Sequence, residues 1–331
     1  MGVGISLVFA WGAWGHQHIN RSAVFALPVE IRPFFYNHID FITEEAVVPD
    51  LRKYTINDKA EFPRHYIDLE VYDSNSNISN LPVTMQEARA RYPDSFLNKN
   101  GILPWYIPEI TEKLTRAMKD RRKTEILFLA ADLGHYIGDA HMPLHTAVNH
   151  NGQLTGQKGI HAMWEGQLPE FFGSGYNLCT GPAKYVDNIV RETWQMIDST
   201  HRLAESVLSI DRELTRSLPA KKVYILDSSG SPLKNKFGDL VHTREYAAKY
   251  HELLKGMIER QLRGAIAETA AFWYTAWVNA GKPDLSGLDP AELTQRNKPL
   301  LKRDLQKWEQ GKVDMFNPGG EFTQWAGPGG K

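Results

Sequence analysis

The sequence feature that most constrains the fold is the concentration of potential metal ligands within residues 133–165. In this stretch His135 and Asp139 are four residues apart, and so are His161 and Glu165. Side chains four apart lie on the same face of an α-helix, so each pair can reach a single ion. Imidazoles and carboxylates without cysteine are typical of catalytic rather than structural zinc sites. The stretch therefore predicts helices that direct these side chains into a common centre.

A single His-x-x-x-Asp pair is weak evidence, because such a pair is more often a surface pair or a helix cap. A metal site is favoured here because several candidate ligands occur together. His145 lies between the two pairs, two residues after Pro143, where a helix would end. Asp50 and His65 add two further candidate ligands upstream.

Composition limits how a ligand can be held. With 38 Lys and Arg against 39 Asp and Glu, the net charge of −1 supplies no global field that would attract nucleic acid. An anionic ligand must therefore be held locally, by metal or by a few basic side chains. Cys179 is the only cysteine, which excludes an intrachain disulfide but does not exclude export.

The N-terminal segment 1–10 is apolar and ends in a small residue, which is typical of the end of a secretory signal. The alternative interpretation is a buried N-terminal strand. Ten residues are too few to span a membrane. Cleavage after Ala10 would leave Trp11 at the mature N-terminus, and we then expect the protein in a periplasm, at a cell surface or in the medium.

Apolar residues at helical spacing predict a mostly α-helical domain over residues 11–283. The clearest helical pattern covers residues 243–280 and ends before Gly281 and Pro283. Residues 284–331 are polar, with Gly and Pro clustered at the end, and predict a tail or a loosely docked arm.

The order of these residues resembles the superfamily of zinc-dependent phospholipases C and single-strand-specific zinc nucleases. Its pattern is an N-terminal Trp, then His, Asp and His, then His-x3-Asp-x5-His, then His-x3-Asp/Glu. The chain supplies it with Trp11, His16, Asp50, His65, His135, Asp139, His145, His161 and Glu165. The resemblance implies a mostly α, single-domain, multi-helix bundle with a trinuclear zinc site at the base of a cleft.

The resemblance also implies how three zinc ions per chain are held. The first would be bound by Asp50, His65, His135 and Asp139. The second would be bound by His145, His161 and Glu165. The third would be bound by His16, Asp139 and the free α-amine and carbonyl oxygen of Trp11, so that Asp139 bridges the first and third ions. Because a ligating amine must be free and deprotonated, Trp11 must then be the first residue.

The implied activity is hydrolysis of a phosphoric ester. Zinc lowers the pKa of bound water to about 7, which supplies hydroxide at neutral pH. We expect Asp50 to orient the attacking water or accept its proton, and Asp139 to be essential as the bridge. Asp68, Tyr136 and His141 are candidates for orienting or pocket residues, and for His141 a structural or surface role is favoured.

Three residues bear on the substrate. By the resemblance to the nucleases, Tyr66 would stack on a base, Asp68 would read the base edge, and Lys53 would contact phosphate in place of an arginine. The alternative interpretation is that Lys53 is a solvated charge on a loop without a role in binding.

Other features point to a phospholipase C: Glu165 in place of aspartate, the short interval from His145 to His161, and the lack of disulfides. We favour a nuclease or 3′-nucleotidase acting on single-stranded nucleic acid. A phospholipase C is the alternative, and a non-catalytic zinc-binding protein is the lesser one. Nothing in the sequence indicates an obligate protein partner.

Overall fold

A computed structural model describes residues 12–235 and 238–313 of the chain. Trp11, residues 1–10 and residues 314–331 lie outside the described residues. Across the described ranges the regular structure is helical, and the β-type pairing consists of isolated bridges such as Tyr224 with His242. The predicted mostly α class is therefore confirmed. None of the helices in those ranges is long and apolar enough to cross a membrane.

The α-helices are α1 (Gly12–Ala26), α2 (Arg32–Asn37), α3 (Ile39–Glu45), α4 (Val48–Tyr54), α5 (Leu69–Tyr72), α6 (Met85–Arg91), α7 (Asp94–Asn100), α8 (Leu103–Lys119), α9 (Lys123–Ala140), α10 (Ile160–Ala162), α11 (Leu168–Phe172), α12 (Ile189–His201), α13 (Ala204–Ser217), α14 (Ala220–Val223), α15 (Arg244–Leu253), α16 (Met257–Asn279) and α17 (Ala291–Glu309). Short 3-10 helices cover Phe62–His65, Ile78–Asn80, Pro143–Thr146, Gly173–Gly175 and Ser286–Leu288, and a π-helical turn covers Met163–Gln167.

Helix α9 is central to the fold because it packs against α1, α3, α8 and α16. Asn20 of α1 is buried and donates hydrogen bonds to the carbonyl oxygens of Ile42 and Ala131, at 3.2 and 3.0 Å, which joins α1, α3 and α9. A Cβ at Gly134 would lie 1.8 Å from Asn20 Oδ1, so glycine is required for this approach. The close packing brings the N-terminal half of α1 against the end of α9.

Two hydrophobic clusters support this arrangement, and α16 contributes to both. Met257 and Leu262 belong to one cluster, while Phe272 and Trp273 belong to the other. Trp273 is fully buried and stacks on Phe35 with ring centroids 5.1 Å apart. Because full burial of one large apolar side chain contributes about 1.5–3 kcal/mol, these clusters make a stable frame for the residues they position.

The run over residues 243–280 predicts one helix, but the structure divides it into α15 and α16. The break lies at Lys255 and Gly256, whose φ angles are 48° and 74°. A left-handed backbone ends an α-helix, and Gly256 adopts it without steric cost. Apolar spacing continues across the break, which is why the pattern alone does not reveal it.

Part of the C-terminal region, for which the sequence predicts a tail or a loosely docked arm, forms a helix in the structure. Helix α17 lies within residues 284–331 and packs against α2. Tyr36 donates a 2.6 Å hydrogen bond to Asp304, and the ring of Trp308, only 6% exposed, lies 6.1 Å from that of Phe25. A few anchoring side chains dock a helix whose remaining surface is polar and solvated.

Candidate metal centre

His135 and Asp139 lie one turn apart on α9 and are fully buried. His135 Nδ1 is 2.8 Å from the carbonyl oxygen of Ala46. A carbonyl only accepts hydrogen bonds, so Nδ1 carries the proton and the lone pair of the neutral ring lies on Nε2. That Nε2 is 3.3 Å from Asp139 Oδ2. The α9 pair thus presents a nitrogen lone pair and a carboxylate oxygen to one point.

Asp50 and His65 reach the same point from α4 and from the 3-10 helix Phe62–His65. His65 Nδ1 lies 2.9 Å from Asp139 Oδ2 and 3.7 Å from Asp50 Oδ1. It also lies 3.1 Å from His135 Nε2. We call Asp50, His65, His135 and Asp139 the first ligand group.

His145, His161 and Glu165 form a second ligand group. His161 Nε2 lies 3.2 Å from His145 Nε2 and 3.0 Å from Glu165 Oε1. His161 Nδ1 is 2.7 Å from the carbonyl oxygen of His150, which again leaves the lone pair on Nε2. Glu165 lies on the π-helical turn Met163–Gln167 that follows α10.

Asp139 contacts both groups. Its Oδ2 faces His65 and His135, whereas its Oδ1 lies 3.3 Å from His145 Nδ1. Oδ1 also lies 3.6 Å from His16 Nε2. This carboxylate has the position that a bridge between neighbouring ions requires.

His16 enters the centre from α1, and its ring stacks on that of His135 with centroids 3.8 Å apart. A Cβ at Gly138 would lie 3.0 Å from His16 Nδ1, so the glycine makes room for the imidazole. His16 can share an ion with Asp50 and His135, which adds to its contact with Asp139. Trp11, its expected partner, lies outside the described residues.

The side chains fit a metal cluster better than a hydrogen-bonded core. Within the described residues, both ring nitrogens of His16, both carboxylate oxygens of Asp50, Asp139 Oδ1 and His145 Nδ1 are buried without a hydrogen-bond partner. Each such buried polar group costs about 1–3 kcal/mol. Cations that accept the lone pairs of the carboxylates, and of one nitrogen of each imidazole, would satisfy most of these atoms.

The charges of the centre are also those of a site that can bind cations. Burial alone would raise the pKa of Asp139, but His135 and His145 outweigh burial and hold this pKa well below its usual range. Burial is likewise outweighed at Glu165, where His161 and His145 lower the pKa to about 2. Ionised carboxylates in a buried cavity need compensating positive charge, and zinc ions can supply it.

The pKa values of Asp50 and His145 are both raised, but for different physical reasons. Burial raises the pKa of Asp50 above its ordinary value. Burial would lower the pKa of His145, but Asp139 and Glu165 raise it to about 10. The imidazole therefore retains a positive charge when only protons are present, as expected for a position that a metal cation would occupy.

The predicted substrate residues lie on the segments that carry Asp50 and His65. Tyr66 has an extended backbone, and both Tyr66 and Asp68 are half-buried, whereas Ile67 between them is fully buried. Tyr66 donates a 2.7 Å hydrogen bond to the carbonyl oxygen of Lys99. Burial and the charge of Glu70 raise the pKa of Asp68 to about 6.

Lys53 follows Asp50 by one turn of α4, and its ammonium lies 4.8 Å from the ring of Tyr54. Burial would lower its pKa, but Tyr54, Asp50 and Asp139 raise it to about 12. Lys53 is therefore a half-buried cation that interacts with the ligand carboxylates, which differs from a solvated loop charge.

Glu61 is a residue that the sequence analysis missed. Its buried carboxylate lies 3.4 Å from His65 Nε2 and accepts hydrogen bonds from Tyr136 and Arg52. Burial would raise the pKa of Glu61, but His65, Tyr136 and Arg52 hold it well below its usual range. The one feature of the sequence that points to Glu61 is its position four residues before the predicted ligand His65.

Tyr136 and His141 were candidates for orienting roles. Tyr136 is fully buried and reaches the centre through Glu61. His141 Nδ1 hydrogen-bonds the carbonyl oxygen of Ile137, and its Nε2 lies 2.8 Å from where a Cβ at Gly264 would be. His141 therefore packs between α9 and α16.

Comparison with known proteins gives one family. The family model described as S1/P1 Nuclease matches residues 11–265. This range contains all the predicted ligands and ends within α16. No curated protein matches the chain.

Proposed function

Because the chain belongs to the S1/P1 nuclease family, whose members are zinc-dependent phosphodiesterases, we propose that it cleaves single-stranded nucleic acid at a three-zinc centre. The first ligand group would hold one ion and the second ligand group another. His16, Asp139 and Trp11 would hold the third. The supporting observation is the convergence of both ligand groups on Asp139.

Bound zinc would lower the pKa of water and neutralise phosphate charge. The chain's own residues supply the remaining functions. Asp50, whose pKa is raised by burial, is suited to orient the attacking water and accept its proton. Asp139 holds its imidazole neighbours in register around the reacting phosphate.

Substrate contacts would come from the half-buried side chains beside the first ligand group. The face of Tyr66 offers a surface on which a base can stack, an interaction worth about 1–3 kcal/mol. Asp68 can accept hydrogen bonds from a base edge when it is ionised. The Lys53 ammonium can attract a phosphate oxygen.

A comparison of substrates tests this function. Purified protein is incubated with single-stranded DNA, single-stranded RNA and a phosphatidylcholine dispersion, with and without a chelator. We expect cleavage of nucleic acid that the chelator abolishes and added zinc restores. Hydrolysis of phosphatidylcholine alone would instead establish the phospholipase C alternative, and zinc binding without any cleavage would establish the non-catalytic one.

We further propose that residues 1–10 are removed and that the mature protein begins at Trp11 in an exported form. The family match begins at this residue, which supports the proposal. N-terminal sequencing of protein recovered from the exported fraction tests it. Trp11 as the first residue is expected, and a retained leader would contradict it.

A further inference from the structure

Behind the first ligand group lies an ionic cluster in which Glu61 and Tyr136 are fully buried and Arg52 and Asp132 are partly exposed. Arg52 Nε donates to Glu61 Oε2 at 3.0 Å, and a terminal nitrogen of Arg52 donates to Asp132 Oδ2 at 2.7 Å. The hydroxyl of Tyr136 donates to Glu61 Oε1. We call these four residues the Glu61 cluster.

The Glu61 cluster contacts His65 on the side away from the ligand carboxylates. His65 Nε2 is buried and lies 3.4 Å from Glu61 Oε1, while Nδ1 lies 2.9 Å from Asp139 Oδ2. A carboxylate beside Nε2 favours the tautomer with its proton on Nε2. The lone pair of Nδ1 then points into the centre, which is the form that binds metal.

The same cluster sets the register of the segments that carry the first ligand group. Arg52 follows Asp50 by two residues on α4, and Glu61 precedes the 3-10 helix that ends at His65. Asp132 and Tyr136 flank His135 on α9. One set of ion pairs and hydrogen bonds, centred on the buried Glu61 carboxylate, therefore fixes three segments relative to one another.

We propose that Glu61 is a positioning residue that raises the zinc affinity of the first ligand group by fixing the tautomer and orientation of His65. Arg52, Arg64 and Tyr136 hold its carboxylate in place. The proposal rests on the proposed function, since it requires that the first ligand group bind zinc. The second ligand group is oriented differently, by the carbonyl oxygen of His150.

The test is the zinc affinity of Glu61→Gln, measured on the full chain by competition with a chromogenic chelator. Loss of an outer partner of a ligating histidine weakens metal binding by about 10–100-fold. We expect a loss of this size for one ion, with the affinity of the second ligand group unchanged. Tyr136→Phe removes a single hydrogen bond to Glu61, and we expect an effect of about fivefold on the same ion.

Asp289→Asn is the matched control. Asp289 is a buried carboxylate that lies 2.8 Å from His38 Nε2 and 2.5 Å from Lys123 Nζ, among residues that are not predicted ligands. This variant should lower the melting temperature and leave every zinc affinity unchanged. The control thus separates a loss of stability from a loss of metal affinity.

Unchanged zinc affinity in both Glu61→Gln and Tyr136→Phe would overturn the proposal, and so would an equal loss at every ion. If circular dichroism shows that Glu61→Gln does not fold, Tyr136→Phe decides alone. If the unsubstituted protein binds zinc normally and the variants bind it equally well, the role of Glu61 is refuted but the proposed function is not. Absence of zinc from the unsubstituted protein removes the proposed function as well.

Discussion

The first ligand group is more deeply enclosed than the second. Its side chains are all fully buried, and His65 is backed by a buried carboxylate. In the second group the side chain of His161 is 19% exposed, and its ring is held by the carbonyl oxygen of His150, an exposed loop residue. The scaffold thus encloses the first candidate ion position and leaves the second closer to solvent.

We expect this difference in burial to separate substrate binding from turnover. The predicted substrate residues Tyr66, Asp68 and Lys53 lie on the segments of the first ligand group, so substrate affinity should depend on the enclosed side. The more open second group should contribute to turnover and exchange its metal more readily. Asp139, which contacts both groups, should be indispensable to each.

The largest effect is expected from Asp139→Asn, which removes the charge of the carboxylate that is predicted to bridge the first and third ions. We expect kcat to fall by about a thousandfold, equivalent to about 4 kcal/mol, with zinc content reduced. Kinetics and metal analysis provide the measurement, with Asp289→Asn as the control that keeps normal turnover. Near-normal turnover of Asp139→Asn would contradict the bridging role of this carboxylate.

Glu165→Gln isolates the second ligand group. We expect the loss of one zinc ion and a fall in kcat of about 100-fold, or about 3 kcal/mol, because one source of charge neutralisation is lost. KM should change little, since the substrate residues lie beside the first group. A large rise in KM with normal kcat would show that the second ligand group contributes to substrate affinity rather than to turnover.

The pKa of Asp68 is raised to about 6, so its proposed contact with a base edge should make substrate affinity dependent on pH. The carboxylate accepts hydrogen bonds above this pKa and is protonated below it. KM for nucleic acid should therefore rise by about tenfold as the pH falls from 7 to 5, in line with the worth of a charged hydrogen bond. Asp68→Asn should have a high KM at both values, and a parallel pH dependence in the variant would exclude this role.

The smallest effect is expected from Lys53→Met. Loss of one attraction to phosphate should raise KM by about threefold and weaken its dependence on salt. Lys59→Met is the matched control, because Lys59 is exposed on the loop between α4 and the 3-10 helix. Equal changes in KM for the two substitutions would show that Lys53 acts only as a general surface charge.

Local spacing predicts the parts of the centre that lie within one helix. His135 and Asp139 are one turn apart on α9, as the interval of four requires. His161 and Glu165 have the same interval, although the helix continues through a π turn after α10. The convergence of Asp50 and His65 could be expected only from the resemblance, because spacing does not determine how distant segments pack.

Tertiary packing accounts for what the sequence does not predict. Glu61 has partners from α4 and α9, so its importance depends on contacts across more than 70 residues of chain. The break at Lys255 lies inside a continuous apolar pattern, where no periodicity changes. Trp308 docks α17 through a contact with Phe25 that the polar composition of the region hides.

The most direct test is a crystal structure of the purified protein with anomalous diffraction measured at the zinc absorption edge. We expect one zinc ion within the first ligand group, one among His145, His161 and Glu165, and a third beside His16 and Asp139. Absence of zinc from the first and second groups in protein that is active on phosphodiesters would contradict the metal centre described above.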